Sequence, residues 1–398
     1  MFGRIARGEI ASTIPVGRQR LDPAIGGLRL WRGAHARRAA DSAATRPIPS
    51  LQVLRALAAL AVIYAHIRYD FSVKFGIADF PPRIALADIG VDLFFVISGF
   101  VMVYASERLF ERRGGAREFL ARRIMRIVPL YWATSLVALA YILIRQRASD
   151  LVPHAVFAKW AAASFLFLPY ARTNGELSPL NGVGWTLNYE MLFYGIFAAA
   201  VVLSRRAAVA AVTSLFAAMV LIGLRFGKLP EPLAFWCDPL ILEFVFGMLI
   251  ALALREGLRL PSPLAHGFIL GGLAVFLLED HLGVTSRALH FGLPSALIVA
   301  GLTLNAGSSG ASSSGRLARV FVFLGEASYS LYLVHPFALT APRLLHFGLA
   351  GDGVAPPSRP WLYAALQLAA ALAAGVIVHL GIERPITRAL RRAWQSAP

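Results

Sequence analysis

Only one cysteine, Cys237, occurs in 398 residues. An internal disulfide, a Cys-x-x-Cys zinc site and an iron–sulfur cluster are therefore excluded. Charge is scarce at 15% of residues, and acidic groups are scarcer, 22 against 39 Lys and Arg. No His-Glu-x-x-His spacing, P-loop, Gly-x-Ser-x-Gly elbow or dinucleotide fingerprint occurs, so serine-triad hydrolysis and ATP-driven transport lack support. Strand-like alternation is missing, and turn residues fall between long apolar runs rather than every ten residues, which excludes a β-barrel. There is no internal repeat of the kind that marks inverted-repeat transporters. Nothing outside the apolar runs exceeds about fifty residues, which leaves no room for a separate soluble domain.

Apolar sequence fills the chain instead. Hydrophobic residues make up 57% and mean hydropathy is +0.63, more than a soluble domain can hide, so the chain is read as an all-α, polytopic integral membrane protein. Runs at 51–68, 84–106, 124–144, 185–203, 207–224, 237–254, 264–280, 291–305, 318–342 and 360–382 give an expectation of about ten transmembrane helices. The apolar stretch 151–169 carries His154 and Lys159 and ends at Pro169, so it is read as re-entrant or interfacial. A net charge of +17 raises the question of nucleic acid, but the arginines cluster in alternate connections. That pattern follows the positive-inside rule, places both termini in the cytoplasm and argues for membrane lipids rather than nucleic acid as the bulk partner. Residues 1–48 lack the apolar core of a signal peptide and are read as a disordered basic cytoplasmic tail. Residues 49–386 form the membrane domain and 387–398 a basic cytoplasmic tail, with a flexible Gly/Ser loop at 307–315.

Against this apolar background the ionisable residues stand out. Arg55 and His66 lie eleven residues apart in the first run, which at about 100° per residue puts both on nearly one helix face, roughly 16 Å apart. A guanidinium inside a membrane helix costs roughly 2.5–3.5 kcal/mol on insertion scales, so the pair marks a protein interior or polar cavity. Asp88 and Asp92 share a face of the second helix; Asp92, followed by an apolar run, is either a hydrated helix end or a site-shaping carboxylate. Ser98 and Gly99 read as permitting close helix approach. Arg122, Arg123 and Arg126 open the third helix against its dipole and need an anion, either lipid phosphate or a phosphate-rich ligand such as coenzyme A.

The segment Asn181-Gly-Val-Gly-Trp-Thr-Leu-Asn-Tyr-Glu-Met-Leu-Phe-Tyr194 contains Glu190 and Tyr194 one turn apart, with Trp185 at its head. A carboxylate there either exchanges protons or forms a structural ion pair with Arg or His. Ser328, Tyr332 and His335 form a polar stripe that serves site lining or interhelix packing. His379, alone on an apolar helix, reads as a satisfied core histidine.

Taken in order, these segments resemble acyltransferase family 3 of bacterial integral-membrane proteins, most closely the branch that acetylates exopolysaccharides. The matching pieces are Leu54-Arg-Ala56 with His66, Gly90-Val-Asp-Leu-Phe-Phe-Val-Ile-Ser-Gly-Phe100, Arg122-Arg-Ile-Met-Arg-Ile-Val-Pro129, Gly184 to Tyr194, Ser328 to His335 and Glu383-Arg-Pro385. The resemblance implies a cytoplasmic acyl-CoA donor, with no bound cofactor, and transfer of an acyl group, commonly acetyl, to a sugar hydroxyl of a polysaccharide or lipid-linked oligosaccharide in the bacterial inner membrane. It gives His66 the presumed catalytic role, with Arg55 holding CoA phosphate or stabilising an oxyanion, and Glu190 matching the family's acid. Gln52 stands where many members carry an acid before the Leu-Arg pair. Asp92, Arg122, Arg123, Arg126, Trp185, Tyr194, Tyr332 and His335 complete the expected substrate-binding set. A transporter or flippase of a lipid-linked sugar is the competing class, since it too keeps intramembrane Arg, His and Glu.

Overall fold

The computed structural model describes residues 48–146, 154–172, 175–282, 286–307, 315–347 and 357–396. The N-terminal basic tail and the Gly/Ser loop centred on 308–314 lie outside them. Among the described residues there is no strand; an isolated backbone bridge joins Leu260 to Asn305.

Helix α1 spans Pro49–Phe75, starting on a proline whose missing N–H costs nothing in the first turn and stopping where Gly76 turns left-handed (φ 67°). Next come α2 (Gly90–Ala105), α3 (Gly115–Gln146), α4 (His154–Phe165), α5 (Trp185–Ala200), α6 (Arg205–Phe226), α7 (Leu242–Arg255), α8 (Ser262–Leu282) and α9 (Leu293–Leu304). The chain ends in α10 (Arg316–Glu326), α11 (Ser328–Phe347), α12 (Pro360–Val378) and α13 (Arg384–Ser396), with a π turn, His379–Glu383, joining the last two.

Four of these helical stretches are long and apolar enough to cross a membrane: 49–75, 115–144, 205–226 and 360–396. A fifth crossing is available if α10 and α11 count as one broken span, but they meet at 75°. The run 318–342 is therefore two helices rather than the single span expected from hydropathy, because α10 presses Gly325 against the Gln52 carbonyl of α1 and must turn before α11 begins. Several other expected spans are short: α2 and α5 have 16 residues each, about 24 Å of helix against a hydrocarbon core of about 30 Å. Helix α4, at 12 residues, is too short to cross, in keeping with a re-entrant or interfacial element. Large apolar side chains such as Ile144, Leu221, Leu224 and Ile377 face outward. Water does not favour such a surface, whereas lipid does.

The interior is organised around α2 and α7. A Cβ at Gly99 would overlap the Phe244 carbonyl, and one at Gly247 would overlap the Val96 carbonyl, so the two backbones touch as small-residue membrane interfaces do. Phe244 then stacks on Phe193 of α5 (centroids 4.5 Å) and packs against Phe95 (4.9 Å). Beyond α7, Glu256 receives Arg205 at 2.8 Å and Arg206, which hold its carboxyl down to about 2, while Arg205 also reaches Glu107 at 2.5 Å. These arginines are neutralised within the protein.

Gly247→Ala and Gly99→Ala should each lower the thermal midpoint of detergent-purified protein, since overpacking a backbone contact costs roughly 1–3 kcal/mol or more. Gly195→Ala, where nothing lies within 4 Å of the added carbon, is the control and should be neutral or stabilising. Equal midpoints for all three would remove the α2–α7 contact as the organising one.

Candidate active site

An open cavity of about 760 Å³, its mouth included, lies between α1, α2, α3, α5 and α11. Helix α1 contributes Arg55, α2 Phe94, Phe95 and Ser98, α3 Arg123 and Arg126, α5 Glu190 and Tyr194, and α11 Ser328 and Tyr332. The Arg55 guanidinium donates to Ser328 Oγ from Nη2 at 2.8 Å and from Nε at 3.2 Å. Ser98 donates to Glu190 Oε1 at 2.9 Å. Arg55, Arg126 and Tyr194 all lie within electrostatic reach of the Glu190 carboxylate. Arg123 lies over the rings of Phe119 and Tyr194, and its buried Nε has no hydrogen-bond partner. Glu190 therefore faces several guanidinium groups without closing an ion pair with any of them. The walls are held by hydroxyls: Tyr332 donates to the Val183 carbonyl (2.9 Å) and meets Thr186 Oγ1 (2.9 Å), and Tyr329 donates to the Ile127 carbonyl (2.6 Å).

His66 lies farther along α1, outside the cavity lining. Its ring meets that of fully buried His335 edge-on at 4.8 Å, and His335 is 6.1 Å from Tyr332, which does line the cavity. Tyr332 thus links the cavity to the histidine pair. His66 Nδ1 faces the Val62 carbonyl at 2.9 Å and His335 Nδ1 the Leu331 carbonyl at 3.1 Å. A carbonyl only accepts, so each Nδ1 carries a hydrogen and, in the neutral ring, each Nε2 is left as the free base. Among the described residues no three His, Cys, Asp or Glu side chains converge as metal ligands, so the two imidazoles stand as a pair.

Besides the two histidines, three residues expected in the site stand apart from this cavity. Asp92, fully buried, is taken by Arg287, which donates from Nε and Nη2 at 3.1 Å each, beside Glu243 of α7. It braces α2 against the turn before α9. Arg122 is exposed and paired with Glu118 one turn earlier. Trp185 packs edge-on against Phe95 and Tyr189, behind the wall that its neighbours Thr186 and Leu187 form. Conversely, Ser98 bonds the central carboxylate rather than serving helix approach, a role that Gly99 alone fills. Its only trace in the sequence is a hydroxyl inside an apolar run. Thr186 and Tyr329 also reach the cavity and were not singled out by any spacing. His379 is buried as expected, with Nδ1 on Glu383 at 2.7 Å, but its Nε2 has no partner and it borders a second, basic cavity.

A helical membrane protein with a cation-rich cavity, one central carboxylate and a histidine pair has the parts of a group-transfer enzyme. The chain belongs to the acyltransferase family, whose domain matches residues 48–380. It is 36% identical over 303 residues to the exopolysaccharide production protein ExoZ of Rhizobium meliloti, covering 75% of this chain and 89% of that protein. It is 29% identical over 381 residues to acyltransferase MdmB of Streptomyces mycarofaciens, 88% and 95% of the two chains. It is 27% identical to the putative peptidoglycan O-acetyltransferase YrhL of Bacillus subtilis over 73% of this chain and 48% of that one. No solved structure matches.

Glu190→Gln keeps the shape of the side chain and removes its charge. If the carboxylate handles a proton or balances the site cations, acyl transfer should fall by roughly 10²-fold or more with little change in melting temperature. If it only braces helices, the loss of one buried partner should cost roughly 3–5 kcal/mol of stability with normal turnover per folded molecule. Both quantities measured on one preparation decide between the two.

Proposed function

We propose that the chain is an O-acetyltransferase of the bacterial inner membrane that moves an acetyl group from cytoplasmic acetyl-CoA to a hydroxyl of an exported polysaccharide or its lipid-linked precursor. On this reading the bundle crosses the membrane about ten times with both termini in the cytoplasm, the shorter helices being accommodated by local thinning or by snorkelling of flanking residues. The observation that carries the proposal is the coexistence of unneutralised guanidinium groups at one end of the cavity with free imidazole Nε2 atoms beyond its other end. The first suits a phosphorylated thioester, and the second suits an alcohol that must lose a proton. The names of the relatives, an exopolysaccharide production protein and a putative peptidoglycan O-acetyltransferase, support a glycan as acceptor.

The chemistry follows from these positions. Arg123 and Arg126 hold donor phosphate through charge-assisted bonds, and Arg55, fixed by Ser328, adds a third guanidinium to that anion-binding end of the cavity. His66 Nε2 takes the proton from the sugar hydroxyl as the new C–O bond forms. The C–S bond then breaks, and the departing thiolate takes that proton from the His66 imidazolium, which leaves free coenzyme A thiol and restores the neutral base. His335 sets the orientation of the His66 ring by edge-on contact. Glu190 keeps the guanidinium groups from repelling one another when the donor is absent.

His66→Ala should abolish transfer of label from acetyl-CoA to a surface-polysaccharide fraction while the purified protein keeps its melting temperature. Near wild-type turnover in that variant would overturn the mechanism. A flippase would move lipid-linked sugar with no labelled product at all.

A further inference from the structure

A second open cavity, about 720 Å³ with its mouth, adjoins the first. The same elements line both: α1 gives Gln52 to this one and Arg55 to the other, the α10–α11 corner gives Glu326 here and Ser328 there, and Arg126 borders both. Three residues are just under one helical turn, about 5 Å of rise, so the two cavities follow one another along α1. Opposite Arg126, α13 lines the second cavity with Arg384, Arg388 and Arg391, four arginines in all against Glu326 and Glu383. Glu383 is occupied by Ser330 and His379, each at 2.7 Å. None of the four arginines makes an ion pair among the described residues, in contrast to Arg122, Arg205 and Arg206. Arg391 lies within electrostatic reach of Arg126 and Arg122, so like charges are gathered there. His379, 4% exposed, borders the same space with an unpartnered Nε2.

An assembly of this kind calls for a polyanion. Resting on the donor reading above, we propose that this cavity is the nucleotide subsite of the donor: Arg388 and Arg391 take the terminal phosphate monoester, Arg126 takes the diphosphate at the boundary, and the thioester arm continues into the first cavity. The substrate is thus measured at both ends. Its anionic head is fixed on α13, a helix with no buried residue, while its thioester arm runs past Arg55 toward the histidine pair. Anionic lipid headgroups offer the same phosphate chemistry and are the competing source.

The test uses the full chain in nanodiscs of phosphatidylcholine alone, titrated with coenzyme A and with 3′-dephospho-coenzyme A. Wild type should prefer coenzyme A by about tenfold or more, as expected for loss of a charge-assisted bond. Arg388→Ala/Arg391→Ala should bind both compounds with the affinity wild type shows for the dephospho form, with KM for acetyl-CoA raised, kcat unchanged and melting temperature unchanged. Arg388→Lys/Arg391→Lys should recover part of the preference. A wild type that binds both compounds equally, or an Ala variant that keeps the full preference, overturns the subsite. An Ala variant altered only in discs containing phosphatidylglycerol assigns these arginines to lipid and overturns it as well. If wild type binds neither compound, the donor reading itself falls.

Discussion

Arg55, Arg123 and Arg126 share a cavity with one carboxylate, Glu190, and among the described residues none of the four groups closes an ion pair. Holding unpaired charge in an apolar bundle is expensive, and packing alone has no need of it, because an isosteric apolar set would be as stable or more so. The arrangement persists only if surrounding groups prevent collapse into a contact pair. Ser328 takes the Arg55 guanidinium and Ser98 takes Glu190, so hydroxyls on two other helices hold apart charges that would otherwise meet. The rest of the architecture serves that separation. The Gly99 and Gly247 crossing sets the depth of Ser98, and the corner between α10 and α11 sets Ser328.

That corner explains how a mostly apolar chain makes room for two adjoining cavities. A straight helix over 318–342 would lie along α1 and bury the space beside Gln52. With Gly325 against the Gln52 carbonyl, α10 turns away at 75°, leaving Glu326 and Ser328 on opposite sides of the bend, one facing each cavity. At the other side, the π turn His379–Glu383 rotates α13 relative to α12 and brings three arginines over the same opening. Such turns are uncommon in helices and concentrate at functional sites.

Local spacing was informative wherever both partners lie on one helix. Arg55 with His66, and Glu190 with Tyr194, were legible because helical periodicity alone puts each pair on a face. The all-helical membrane class was equally legible from hydropathy. Contacts between distant segments were not. Asp92 finds Arg287 and His66 finds His335 across 195 and 269 residues, and no spacing rule relates them. Hydropathy also counts apolar length without direction, so it could not show the bend after Gly325, nor that α2 and α5 are shorter than the hydrocarbon they were expected to cross. Arg122, Arg123 and Arg126 look alike in sequence. Glu118 one turn away claims the first, and only helix phase leaves the other two facing the cavity.

The separation between the cationic cavity and the histidine pair constrains the order of events in the proposed reaction. A phosphorylated donor gains most where the guanidinium groups are and would lose that stabilisation by moving toward His335, whose surroundings are fully buried. The uncharged acyl group carries no such penalty. Tyr332, anchored to Val183 and Thr186, lies between them, so an acyl group has to pass its ring to reach the histidines while the charged head stays behind. Charge thereby sorts the two halves of the donor: the anion stays at the arginine end, and only the neutral fragment approaches the imidazole that accepts the proton. A site built this way needs no large domain closure to keep coenzyme and acceptor apart, because the energetic cost of moving phosphate into an apolar interior already does so.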